Sequence, residues 1–129
     1  MKRLCQIATC TSMLLASSLF YQQAYSAESV VGDASRGAAT FKTICAHCHT
    51  TTYDDSRIGA PGLQGVLERH DEAWLDQWIK APEAFAKINP TAKDLIESNK
   101  FGLKMPTLPA MQDDQKRADI IAYLKTLKE

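Results

Sequence analysis

Cys45-Ala46-His47-Cys48-His49 sets two thiols and two imidazoles within five consecutive residues. No other stretch limits so tightly what the chain can fold around. Cys-x-x-Cys-His is the spacing that attaches a c-type haem. Two thiols reach the two vinyl groups on one edge of a porphyrin and form thioethers. The next residue then sets an imidazole nitrogen beneath the iron. Other chemistries also use paired cysteines. A redox dithiol usually sits where a strand runs into a helix. A structural zinc site needs four closed ligands, drawn here from Cys45, Cys48, His47 or His49, and His70, without the usual paired histidine spacing. An exported pair can also close as a disulfide.

Two further cysteines, Cys5 and Cys10, lie in a stretch built like a secretory signal. Lys2 and Arg3 form a positive start, residues 7–20 are mostly apolar or small, and Ala24-Tyr25-Ser26 gives a small-x-small exit. The apolar run is too short and too rich in Ser and Thr for a membrane span of roughly 20 residues. Residues 1–26 are therefore read as a cleaved signal peptide and residues 27–129 as one domain, with an uncleaved anchor as the competing reading. A lipid anchor is not expected, because Ile7-Ala8-Thr9-Cys10 is a poor cleavage box placed too near the start. Removing Lys2 and Arg3 leaves 13 of the 15 Lys and Arg against 15 Asp and Glu. The mature charge of about −2 points to neither a nucleic-acid nor an anionic-membrane partner. The expected location is the periplasm, with the protein soluble after cleavage.

About 103 residues remain, few enough that a large apolar cofactor would help to complete the core. No segment alternates with a two-residue period, so the reading is all-α. Asp33 can cap a first helix running to about Cys45, with Gly37, Phe41 and Cys45 on one face. Residues 50–65 read as a loop, being rich in Thr, Asp, Gly and Pro. A helix follows from about Asp71 to Lys80, stopped by Pro82, and Asn89-Pro90 opens another through Ile96. Residues 99–112 form a second loop. Asp113 and Asp114 at one end, and Lys125 and Lys128 at the other, suit the dipole of a last helix. Its stripe of Ile120, Tyr123, Leu124 and Leu127 predicts a surface helix docked by one face.

The mature chain resembles the small class I c-type cytochromes over nearly its whole length. The matching pieces begin with Gly37-x-x-x-Phe41-x-x-x-Cys45-x-x-Cys48-His49 and Gly59-Ala60-Pro61-Gly62-Leu63-x-Gly65. Trp74-Leu75-x-x-Trp78-Ile79-x-x-Pro82 follows, then Lys104-Met105-Pro106 and Asp119-Ile120-Ile121-Ala122-Tyr123-Leu124. The resemblance implies a cytochrome c fold, with four or five short helices wrapped around one covalent haem c. It also implies that the first and last helices cross, Gly37 allowing close approach and Phe41 packing near Tyr123.

A low-spin electron-transfer haem needs a second axial ligand, and Met105, Met111, His47 and His70 are the mature candidates. Met105 lies in a loop before Pro106, which restricts it to extended backbone and suits a thioether held out toward a metal. It also falls at the family's methionine position. Met111 reads as core, His47 as solvent-facing, and His70 as a surface histidine and the runner-up ligand. By resemblance, the Pro61 carbonyl orients His49, Leu63 lines the haem pocket, and Arg57 with Trp74 or Trp78 lies near the propionates. Core packing explains the tryptophans equally well.

No nucleophile–base pair and no further cofactor motif is apparent, so the expectation is a carrier and not an enzyme. Cys45, Cys48, His49 and Met105 would hold the haem, with His49 and Met105 on the iron. The expected role is a monomeric one-electron shuttle. Its donor would be a dehydrogenase or quinol-oxidising complex and its acceptor a terminal oxidase or reductase, met in transient contacts. Two alternatives stand beside it: a five-coordinate, gas-binding or weakly peroxidatic haem protein, and a dedicated electron-transfer subunit of one envelope enzyme.

Overall fold

The computed structural model describes residues 30–128, and the expected signal peptide lies outside them. Six α-helices and two 3₁₀ turns make up the regular structure, with no strand among the described residues. α1 spans Ala34–Thr43, α2 Val66–Arg69, α3 Glu72–Lys80, α4 Pro82–Ala86, α5 Pro90–Glu97 and α6 Asp114–Leu124. The 3₁₀ turns are Cys45–His47 and Pro109–Gln112.

Local chemistry accounts for most boundaries. The Asp33 carboxylate accepts from the Ser35 and Arg36 amides, both at 2.9 Å, and starts α1. Asp71, Asn89 and Asp113 cap α3, α5 and α6 in the same way. Ala81 leaves the helical region before Pro82, ending α3 as expected. Pro82 then serves as the first residue of α4, where its missing N–H costs nothing. Neither α2 nor α4 is among the expected helices; each is too short to show a period. α2 starts from Gly65, whose φ of +64° is left-handed.

α1 and α6 cross at contact distance. Gly37 is buried there, and Phe41 meets Tyr123 with ring centroids 5.3 Å apart. A carboxylate clamp locks the crossing. Asp119, only 4% exposed, accepts from Arg36 Nε at 2.7 Å and Nη2 at 2.8 Å, the Asp33 amide at 2.8 Å, and Gln115 Nε2 at 2.9 Å. A second clamp joins α6 to α3. Buried Arg117 donates to Asp76 at 2.6 Å, to the Met111 carbonyl at 2.8 Å, and to Asp114. Among the described residues no buried side-chain nitrogen or oxygen lacks a partner, as burial of a charge demands.

The core gathers Phe41, Val66, Leu75, Ile79, Met111, Ile120, Ile121 and Leu124. Each such side chain contributes about 1.5–3 kcal/mol by leaving water. Met111 is 1% exposed, a core residue as read. α6 departs from the one-face expectation. Arg117, Asp119 and Ile121 are buried beside Ile120 and Leu124, because α1 covers one side of the helix and α3 another.

Candidate haem site

α1 delivers the motif. The chain leaves it at Ile44 and tightens into the Cys45–His47 turn, whose carbonyl at Cys45 accepts from the Cys48 amide at 3.0 Å and the His49 amide at 2.9 Å. Both thiols and the imidazole are thus wound onto the end of one helix. Cys45 is half-buried and Cys48 exposed, and the two are not joined as a disulfide. Burial pushes the Cys45 thiol up to about 11, with the neighbouring Cys48 adding to the effect. Such a sulfur is held neutral, the state that a thioether keeps permanently.

His49 Nδ1 lies 2.9 Å from the Pro61 carbonyl oxygen. A carbonyl only accepts, so Nδ1 carries the proton and Nε2 keeps its lone pair for a metal. Burial lowers the His49 pKa against the raising effect of that hydrogen bond, which keeps the ring neutral and able to ligate. The expected Pro61 contact is therefore present.

The loop around it is held by backbone hydrogen bonds and by one side chain. The Leu63 amide reaches the Thr50 carbonyl at 3.1 Å, and Arg69 reaches the Gly62 carbonyl at 2.8 Å. A β-carbon on Gly62 would sit 2.3 Å from the Thr52 carbonyl oxygen, so the turn needs glycine there.

Met105 lies in the irregular stretch between α5 and the Pro109–Gln112 turn, half-buried and packed against the core cluster. The two other candidate histidines are His47 and His70. His47 Nε2 is 3.1 Å from the Thr43 carbonyl and is exposed. His70 is less superficial than expected: its ring stacks flat on Trp74, with centroids 3.9 Å apart and planes 15° apart. Trp74 in turn gives its indole N–H to Asn89 Oδ1 at 3.3 Å, which favours packing over a propionate contact. Arg57 is exposed. Among the described residues no three His, Cys, Asp or Glu side chains converge on a metal position, so zinc has no ligand set.

Residues 34–128 match the family model described as Cytochrome c. The chain belongs to the cytochrome c family. It is 36% identical over 107 residues to cytochrome c2 of Rhodopila globiformis, covering 75% of this chain and 95% of that one. It is 34% identical over 105 residues to cytochrome c of Guizotia abyssinica, covering 77% and 94%. A cytochrome c domain from Pseudomonas putida superposes with a TM-score of 0.57 at 32% identity, covering 70% of this chain and 85% of that one. A cytochrome c from Rhodothermus marinus gives 0.62 at 24% identity, covering 73% and 75%, and supports the fold alone.

This cytochrome is a class I, monohaem c-type electron carrier with the cytochrome c fold and a covalently attached haem c. Its residues fit that group. A neutral half-buried sulfur, an exposed one and a tautomer-locked imidazole lie within five residues. Leu63, Leu67, Trp78, Met105 and Leu108 present half-covered apolar surface that a flat apolar ring would bury. Sequence reasoning missed the Asn99–Gly59 contact and the two clamps on α6. Asn99 carried a weak local signal, an Asn two residues past α5, but its partners across the loop carried none.

Proposed function

We propose that Cys45 and Cys48 hold the haem, that His49 and Met105 are its axial ligands, and that this cytochrome shuttles single electrons in the periplasm. The observation that carries the reading is the His49–Pro61 hydrogen bond, which frees Nε2 on the same turn that presents both thiols. Cys45 and Cys48 would hold the haem through thioethers without an oxidant, since each S–H would add across a vinyl group, sulfur to one carbon and hydrogen to the other. Met105 supplies a thioether from a half-buried position in an irregular stretch, where Pro106 biases it toward extended backbone. Methionine–histidine ligation raises the potential above that of a bis-histidine site.

The bound haem supplies the redox couple, while the protein sets its ligands, burial and docking. Donors are a dehydrogenase or quinol-oxidising complex and acceptors a terminal oxidase or reductase, met by a monomer in small, short-lived contacts. Export rests on residues 1–26 acting as a cleaved signal. No helix among the described residues is long and apolar enough to cross a membrane.

Met105→Ala tests the ligand set. The variant should lose the weak far-red band of thioether-bound ferric haem, and its reduced form should bind carbon monoxide rapidly where the wild type does so slowly. An unchanged band, or a wild type that binds carbon monoxide rapidly, overturns six-coordinate ligation by Met105. The mass of the mature protein, expected to begin near Ala27, tests export.

A further inference from the structure

Asn99 opens the stretch that leads from α5 to Met105, and both ends of its side-chain amide are used. Oδ1 accepts from the Phe101 amide at 2.9 Å and the Leu103 amide at 3.1 Å, which folds residues 99–103 around it. The Gly102 amide closes the same turn on the Asn99 carbonyl at 3.0 Å, with Gly102 at φ +68°. Nδ2 points the other way. It donates to the Gly59 carbonyl at 2.9 Å and, more weakly, to the Ile58 carbonyl at 3.4 Å. Two partners are donors and two are acceptors, so one amide orientation alone pairs all four.

Gly59 is shaped for this contact. Its φ is +73°, and a β-carbon there would sit 3.1 Å from Phe101 Cδ2 and 3.2 Å from Asn99 Nδ2. Its own turn is closed by the Gly59 amide on the Ser56 carbonyl at 2.9 Å and the Ser56 amide on the Ala60 carbonyl at 2.8 Å. The next residue is Pro61, whose carbonyl orients His49. One side chain therefore ties the turn just before Pro61 to the turn that leads into the Met105 stretch.

We infer that Asn99 is a positioning residue for the methionine ligand, holding the Met105 loop against the loop that orients His49. The inference rests on the His49/Met105 ligation proposed above. Residues 102–108 have no regular structure to hold Met105 in place. A side-chain tie at the head of the loop supplies that restraint. Without it, states with Met105 off the metal gain population by about tenfold, the scale set by one or two neutral hydrogen bonds.

The test titrates the ferric holoproteins of wild type, Asn99→Asp, Gly59→Ala and Met105→Ala with imidazole, recording the far-red band and the melting temperature. Asn99→Asp keeps an acceptor for Phe101 and Leu103 but turns a carboxylate oxygen toward the Gly59 and Ile58 carbonyls, so only the tie across the loops is lost. It should bind imidazole about tenfold more tightly than wild type, with a weakened band. Gly59→Ala should shift the same way. Wild-type imidazole affinity in Asn99→Asp, even with a lower melting temperature, overturns the inference while a missing band in Met105→Ala leaves the ligation standing. A band retained in Met105→Ala overturns the ligation, and the inference with it.

Discussion

Gly37 of α1 and Asp119 of α6 meet backbone to backbone. A β-carbon on Gly37 would lie 2.0 Å from the Asp119 carbonyl oxygen and 2.8 Å from Tyr123 Cβ. One residue earlier, Arg36 donates twice into the Asp119 carboxylate. The closest approach and the ion pair are thus neighbours on both helices. Gly32 repeats the pattern just before α1, with its β-carbon position 2.1 Å from the Ala118 carbonyl oxygen.

Gly37→Ala should therefore lower stability despite its better helix propensity. Alanine gains about 1 kcal/mol over glycine inside a helix. Forcing a methyl against a backbone carbonyl costs ~3 kcal/mol, because the two helices must move apart. The net loss is about 2 kcal/mol, read as a lower denaturant midpoint of the holoprotein. A variant as stable as wild type would show that the helices do not need the contact.

Asp119 makes stability depend on acid. Its hydrogen bonds, first that from Arg36, hold its carboxyl far below the usual carboxylate range. The unfolded chain, with an ordinary value near 3.9, then binds the proton more readily than the native one. Stability from this group is complete above about pH 5 and is lost as pH falls through the unfolded value toward the native one. Asp119→Asn should lose ~2 kcal/mol at neutral pH, since its hydrogen bonds are no longer charge-assisted. Its unfolding free energy should also fall less steeply below about pH 5 than the wild type's. Parallel acid-unfolding curves would remove Asp119 as the source.

The features that sequence reasoning recovered were the ones with a local cause. Asp33, Asp71 and Asn89 cap helices from within three residues, and Pro82 and Pro90 act through their own φ. The Cys45–His49 turn is a single stretch whose chemistry fixes its spacing. The burial of Ile121 was hidden because it depends on where α3 lies, and no stripe on α6 encodes that. The role of Asn99 was hidden for the same reason: its Gly59 partner is 40 residues away. The His49–Pro61 bond spans only 12 residues, yet it was anticipated from resemblance and not from the residues themselves.

The two cysteines should prove unequal in packing and equal in attachment. Cys48 is exposed, so Cys48→Ala should change stability by no more than about 0.5 kcal/mol beyond the loss of its tether. Cys45 packs against the core cluster, and its sulfur is neutral at any ordinary pH. Cys45→Ala should cost ~1 kcal/mol more than Cys48→Ala, because it removes a half-buried group of about one methylene's worth of apolar surface. Either single variant should still carry haem through a denaturing gel, held by the remaining thioether. The double variant should release all of it to acidified organic solvent. A haem-stained band that survives denaturation in the double variant would place the attachment elsewhere. A thioether also keeps the Cys45 sulfur uncharged, so joining it to the ring adds no buried charge, whereas a thiolate at that position would carry the full desolvation cost.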